Sequence, residues 1–217
     1  MVTKKSGLFI VFEGGYGAGK STQSARLAAW LSAQGYSVLS TFEPGDTELG
    51  AAVRQIALHS NMAVSPRAEA LLFAVDKAQH VAEVIKPALD AGMIVVSDRY
   101  VDSTIAYQGA GRALSVEQVS NIAWWAVSDL VPDLTVLMDV PVMQGLSRKD
   151  VEDPVAAAET DFHERVRDYF LDLVSWGPGD YLVVNGRDPK DEVTAQVREC
   201  VEHLIAHTHN TLARKAE

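Results

Sequence analysis

The sequence predicts an α/β fold built on a parallel sheet, and three observations carry that prediction. The apolar run at residues 8–12 leads into a glycine-rich loop and then into an amphipathic helix containing Leu27 and Leu31. Gly35 ends that helix and residues 36–40 read as a second strand, which completes a βαβ unit. Compact apolar runs recur at 93–97, 134–139 and 181–184, so the expected sheet has five parallel strands flanked by helices.

The loop is Gly14, Gly15, Tyr16, Gly17, Ala18, Gly19, Lys20, Ser21 and Thr22. Gly14, four residues, Gly19, Lys20 and Ser21 fit the P-loop spacing, in which glycines let successive backbone N–H groups turn inward on phosphate oxygens. The positive end of the helix that begins near Lys20 reinforces anion binding. In such a loop Lys20 reaches the β- and γ-phosphates, Ser21 ligates Mg²⁺, and Thr22 is expected to help cap the helix. The alternative is a plain glycine turn, but the strand before and the helix after are the context the motif requires. The loop therefore predicts a nucleoside-triphosphate site.

With 217 residues, 47% of them hydrophobic, the chain suits one well-buried domain, residues 1–217. A formal net charge of −10 argues against broad binding to nucleic acid or anionic membranes. Cys200 is the only cysteine, which excludes an intrachain disulfide and favours a reducing cytoplasm. The apolar run after the N-terminal lysines is too short for a signal peptide, and no stretch is long enough to span a bilayer.

After the second strand, Glu43-Pro44-Gly45-Asp46-Thr47 reads as a turn, followed by a short helix with Leu49, Val53 and Ile56 on one face. Ser65 and Pro66 are an N-cap and first-turn pair opening a helix to about Asp90, with Leu71, Val75, Ala78, Ala82, Ile85 and Leu89 as its core stripe. Phe73, Lys77 and His80 fall off that stripe. They read equally as a ligand platform, a dimer contact or a second packing face.

Asp98 and Arg99 stand at the C-terminal end of the 93–97 strand, where ligands collect in open α/β sheets. There Asp98 can hold Mg²⁺ directly or through water and Arg99 can grip a phosphate; a buried pair capping the strand is the plainer alternative. A helical turn at 101–109 carries Ser103, Tyr107 and Gln108, and Ser115 caps a helix whose Trp124 and Trp125 suit core or interface. Pro141 starts a further helix, and the polar stretch 149–154 reads as a lid, about 148–160 in all. Residues 161–174 return to helix with Phe162, Val166, Phe170 and Leu173 inside. On the last helix, His203, His207 and His209 lack partners in a ligand pattern and read as solvated surface.

Taken together the motifs resemble those of the bacterial thymidylate kinases, nucleoside-monophosphate kinases that use ATP and Mg²⁺ to phosphorylate dTMP. The resemblance runs over nearly the whole chain. It rests on Phe12-Glu13-Gly14-Gly15 with the P-loop, Glu43-Pro44-Gly45 with Thr47, the 65–74 segment, Asp98-Arg99-Tyr100 with Ser103, Ala106-Tyr107-Gln108-Gly109, and Pro132-Asp133-Leu134-Thr135. It implies the P-loop nucleoside-monophosphate kinase fold, a homodimer, and a lid that closes over ATP. It further implies that Phe73 stacks on thymine, Arg99 holds the acceptor phosphate, Asp98 serves the metal region, and Ser103, Tyr107 and Gln108 hold the nucleoside, with Tyr16, Glu43 and Lys77 also among the substrate-binding positions.

The chain departs from the family pattern at four places. Tyr16 stands where an acidic residue is usual, and Phe42 and Lys77 stand where arginines are usual. The lid pair that commonly carries a catalytic arginine reads Asp153-Pro154, which leaves Arg148 and Lys149 as the cations close by, with Arg148 the expected substitute. Three functions are thus expected in order: dTMP kinase, a kinase for another pyrimidine monophosphate, and a nucleotide-binding relative with weak or no activity.

Overall fold

In the computed structural model the described residues are 7–60, 62–148, 158–176 and 179–213, with side chains described to residue 207. Residues 149–157 of the expected lid lie outside them.

Five strands form one parallel sheet: β1 Leu8–Gly14, β2 Val38–Phe42, β3 Ile94–Asp98, β4 Leu134–Asp139 and β5 Tyr181–Asn185, in the order β2-β3-β1-β4-β5. Every one of these pairings is parallel, so both faces need cover, and the inner strands are apolar except for Thr135 and the polar residues Glu13, Ser97, Asp98 and Asp139 toward their C-terminal ends. Phe9, Val11, Val95 and Leu137 point to one face, under Val81 and Ile85, α4 (Lys86–Asp90), α6 (Val116–Ala126) and α8 (Thr160–Trp176), with α3 (Pro66–His80) packed against α6. Ile10, Phe12, Val96, Val136 and Met138 point to the other, against α1 (Lys20–Ala33) and α9 (Lys190–Ala213). Helices α2 (Glu48–His59), α5 (Val101–Thr104) and α7 (Val142–Leu146) are short connections near the C-terminal edge of the sheet.

The expected five-stranded parallel architecture is the observed one, and the differences lie in register and faces. The second strand begins at Val38 rather than at Tyr36, because Gln34 and Gly35 still donate backbone hydrogen bonds to the last turn of α1. Thr47, not Leu49, anchors the next helix: its hydroxyl accepts from the Gly50 amide at 2.9 Å, while Leu49 is exposed. Ser65 and Ser115 cap α3 and α6 as expected.

The long helix at 66–90 departs most. Its two α-helical parts are joined by a π turn at Val81–Ile85, which shifts the side-chain phase. Ile85 and Leu89 are buried as expected, but Leu71, Val75 and Ala82 are exposed. The first half buries Ala70, Ala74, Asp76, Lys77 and His80 instead. A face that buries charge is invisible to a pattern that counts apolar residues. Replacement of Ile85 by Ala should therefore cost about 2–5 kcal/mol in denaturant unfolding, whereas Ala82→Ser should stay within about 0.5 kcal/mol. Equal costs would place Ala82 in the core after all.

Candidate active site

The C-terminal ends of β1, β3 and β2 meet at a cleft of about 1240 Å³. Its walls include the loop from Tyr16 to Thr22, the turn at Glu43 and Pro44, Phe73 and Lys77 of α3, Asp98 and Arg99, and Ser103, Tyr107 and Gln108. The expected site residues are thus brought together, with two exceptions. Gly14 and Gly15 lie behind the wall, and their carbonyl oxygens accept from Lys20 Nζ at 2.9 and 2.7 Å.

The loop's shape depends on missing side chains. Gly17 has φ 66° and packs on Gly145 near the end of α7, where a Cβ would run into the Gly145 carbonyl oxygen. Gly19, φ 97°, takes the N-cap position of α1 with no side-chain cap, so Thr22 does not cap the helix as expected. The exposed N–H groups of that turn are left to a ligand.

Ser21 Oγ donates to Asp98 Oδ2 at 2.5 Å, while Asp98 Oδ1 is buried with no hydrogen-bond partner among the described residues. A hydroxyl and a half-satisfied carboxylate beside a phosphate loop suit Mg²⁺, which takes one or two protein oxygens together with substrate phosphates and water. No group of three or more His, Cys, Asp or Glu side chains among the described residues is arranged for a metal, and His203 is exposed on α9. The side chain of His209 is outside the described set.

Arg99 follows Asp98 in the left-handed region, φ 77°, a conformation that costs a non-glycine residue roughly 1–2 kcal/mol. Its guanidinium lies 5.0 Å from the centre of the Tyr107 ring and donates to Ser103 Oγ at 2.9 Å. Gln108 donates to Glu69 Oε1 at 3.0 Å, a carboxylate that also takes Arg112.

Behind the Glu43 wall lies a buried polar cluster. Glu43 pairs with Lys77 and accepts from His80 Nδ1 at 2.8 Å, while Thr41 joins His80 and Asp46. Burial raises the Glu43 carboxyl, but the Lys77 charge and the His80 hydrogen bond outweigh it and hold it below the ordinary carboxylate range. Of the expected platform, Phe73 and Lys77 reach the cleft, and His80 serves the cluster. Tyr16 lines the cleft with its ring 6.3 Å from that of His163 on α8. Arg148 also lines it and gives both terminal nitrogens to the Gly186 carbonyl at 3.2 Å, next to Asp188 and Lys190.

Motif reading misses Arg54, and it names Glu13 in the Phe12-Glu13-Gly14-Gly15 stretch without giving it a role. Arg54 of α2 lines the cleft, donates to the Pro44 carbonyl at 2.8 Å and lies 6.0 Å from the Phe42 ring. Its only sequence signal is a lone cation in an apolar helix. Glu13 is wholly buried at the end of β1.

The model for the family described as thymidylate kinase matches residues 12–197. The chain belongs to the thymidylate kinase family. It is 50% identical over 200 residues to the thymidylate kinase of Cutibacterium acnes, covering 92% of this chain and 98% of that one. To the thymidylate kinase of Clavibacter michiganensis it is 47% identical over 205 residues, with 93% and 97% covered. Among solved structures it is similar to thymidylate kinase from Ehrlichia chaffeensis, with TM-score 0.74, 32% identity, and 90% and 98% of the two chains covered. Family membership thus joins the nucleoside-monophosphate kinase fold to the cleft's geometry.

Asp76, adjacent to Lys77, supplies a pH test of this wall. Its Oδ1 accepts from the Gly45 amide at 3.0 Å, and Oδ2 is buried without a hydrogen-bond partner among the described residues. Burial, followed by the Glu43 charge, pushes its carboxyl up from 3.8 to about 6. A raised folded-state value means the folded protein keeps this proton longer than the unfolded chain, so stability falls as pH rises from about 4 to about 6. The expected loss is about 1–3 kcal/mol. Unfolding midpoints of Asp76→Asn and the native chain should therefore diverge in favour of the variant between about pH 4 and pH 6.5, then run parallel. A pH-independent difference would show that Asp76 carries no shift.

Proposed function

We propose that this protein transfers the γ-phosphoryl group of ATP to dTMP, giving dTDP. The observation that carries the reading is one cleft in which the phosphate loop faces Arg99 and Phe73, in a chain of the thymidylate kinase family. Its volume exceeds the roughly 300–1,000 Å³ usual for one small ligand, as two substrates require.

In this reading the loop amides and Lys20 bind the donor phosphates, and Mg²⁺, held by Ser21 and Asp98, would neutralise their charge. Lys20 leaves the Gly14 and Gly15 carbonyls for phosphate, exchanging neutral partners for charge-assisted ones. Arg99 orients the acceptor phosphate for in-line attack, and Phe73 stacks on the base. Ser103, Tyr107, Gln108, Tyr16 and Glu43 line the nucleoside side. Lys77 is committed to Glu43, so Arg54 supplies the charge that Phe42 lacks, with its guanidinium braced by Pro44 and the Phe42 ring. Arg148 serves the donor side, supported by its place on the Gly186 carbonyl. The chemistry asked of the protein is positioning and charge stabilisation.

A homodimer fits the exposed apolar side chains Leu71, Val75, Ile122 and Trp125 on α3 and α6, two helices that pack together. No helix among the described residues is long and apolar enough to cross a membrane. One kinase domain in a reducing cytoplasm accords with the lone cysteine.

A coupled assay should show turnover with dTMP exceeding that with dUMP or dCMP in kcat/KM, and Lys20→Ala should lower it at least about a hundredfold. Undiminished turnover in that variant would refute the assignment. In sedimentation, Trp125→Glu should move a native dimer to monomer; an unchanged mass would remove this face from the interface.

A further inference from the structure

We propose that Glu13, the last side chain of β1, is a positioning residue that holds the Arg99 guanidinium in the cleft through the hydroxyl of Ser103. The inference rests on the reading of this cleft as the phosphoryl-transfer site. Glu13 does not line the cleft and is completely buried. Its Oε1 accepts from the amides of Tyr100 and Ser103 at 2.8 and 3.0 Å. Its Oε2 accepts from Ser103 Oγ at 2.5 Å, and Ser103 Oγ in turn accepts from Arg99 Nη1 at 2.9 Å. Carboxylate, hydroxyl and guanidinium thus form a relay with fixed polarity: the serine gives its proton to Glu13 and offers a lone pair to Arg99.

Two features separate this from ordinary burial. A carboxylate in such a place is costly to desolvate, and an apolar residue would fill it without that cost. Burial outweighs the Ser103 hydrogen bond and the Arg99 charge and holds the Glu13 carboxyl above its ordinary value, while those two partners draw it back toward the charged form. Arg99 is also tied to the same strand through its backbone, its amide donating to the Phe12 carbonyl at 2.9 Å. Main chain and side chain of Arg99 are therefore both referenced to β1, the strand that carries the phosphate loop. The distance between the donor cradle and the acceptor cation is set by this one strand.

Glu13→Gln keeps an acceptor for the two amides but puts an NH₂ group against Ser103 Oγ, which reverses the relay and removes the charge facing Arg99. The variant should melt cooperatively, lose about tenfold or more in kcat/KM for dTMP, and change KM for ATP by less than about threefold. In a double-mutant cycle with Arg99→Lys the Glu13→Gln effect should largely vanish, since both changes break one chain. Multiplicative effects, or equal damage to ATP and dTMP, would overturn the relay. If Glu13→Gln fails to fold, a Ser103→Ala and Arg99→Lys cycle tests the same chain, and independence of those two overturns it. NMR of the Arg99 Nη groups gives a ligand-free reading: hindered rotation in the native protein and averaged signals in Glu13→Gln or Ser103→Ala. Unchanged rotation overturns the relay. A native protein that shows this NMR behaviour yet does not phosphorylate dTMP would count against the acceptor assignment and leave the relay standing.

Discussion

The parallel pairing of β1 with β3 is the constraint on which the rest depends. Its register sets Phe12 opposite Asp98, so the chain leaves β1 into the phosphate loop beside the point where β3 gives way to Arg99. From there a 2.5 Å contact between Ser21 and Asp98 is a matter of adjacency. A slip of one residue would turn the apolar side chains to opposite faces and separate the two groups. Because both faces of the sheet are packed, by Phe9 and Val11 on one side and Ile10 and Phe12 on the other, such a slip is strongly opposed.

The side of the cleft away from the loop follows a different principle. Its wall is held by buried charge: Glu43 takes Lys77 and His80, Asp76 takes the Gly45 amide, and Thr41 bridges His80 and Asp46. Desolvation of these groups is offset only because nearly every polar atom has a partner. The arrangement makes the turn after β2 a rigid wall and occupies the Lys77 ammonium. Within the proposed function, acceptor recognition then falls on Arg99 and Arg54, one braced by Ser103 and Glu13, the other by Pro44 and Phe42.

What the sequence reveals divides along the same line. The strands, the phosphate loop and the Asp98-Arg99 pair are legible because they follow period, glycine spacing and topology, all local signals. The wall is not. Lys77 and His80 sit on a helix whose apolar residues Leu71 and Val75 face outward, and a π turn shifts the phase before Ile85. Apolar periodicity therefore pointed to the wrong face of the first half and to the right face of the second. Arg54 escapes motif reading, and Glu13 is named in a motif without a role, for a related reason: each acts through tertiary partners, and Glu13 meets Tyr100 and Ser103 only once β1 and β3 are paired. The departures at Tyr16 and Phe42 are visible in sequence, but the His163 and Arg54 rings of contact that surround them are tertiary.

The central claim is that donor and acceptor lie end to end in one cleft, with their phosphates between Lys20 and Arg99. Calorimetric titration with adenosine and thymidine joined through five phosphates tests it most directly. If the two sites are continuous, this compound should bind at least about a hundredfold more tightly than ADP or dTMP alone, since one association replaces two. Affinity no better than that of ADP would mean that the two ends cannot be occupied together, and the claim would be wrong.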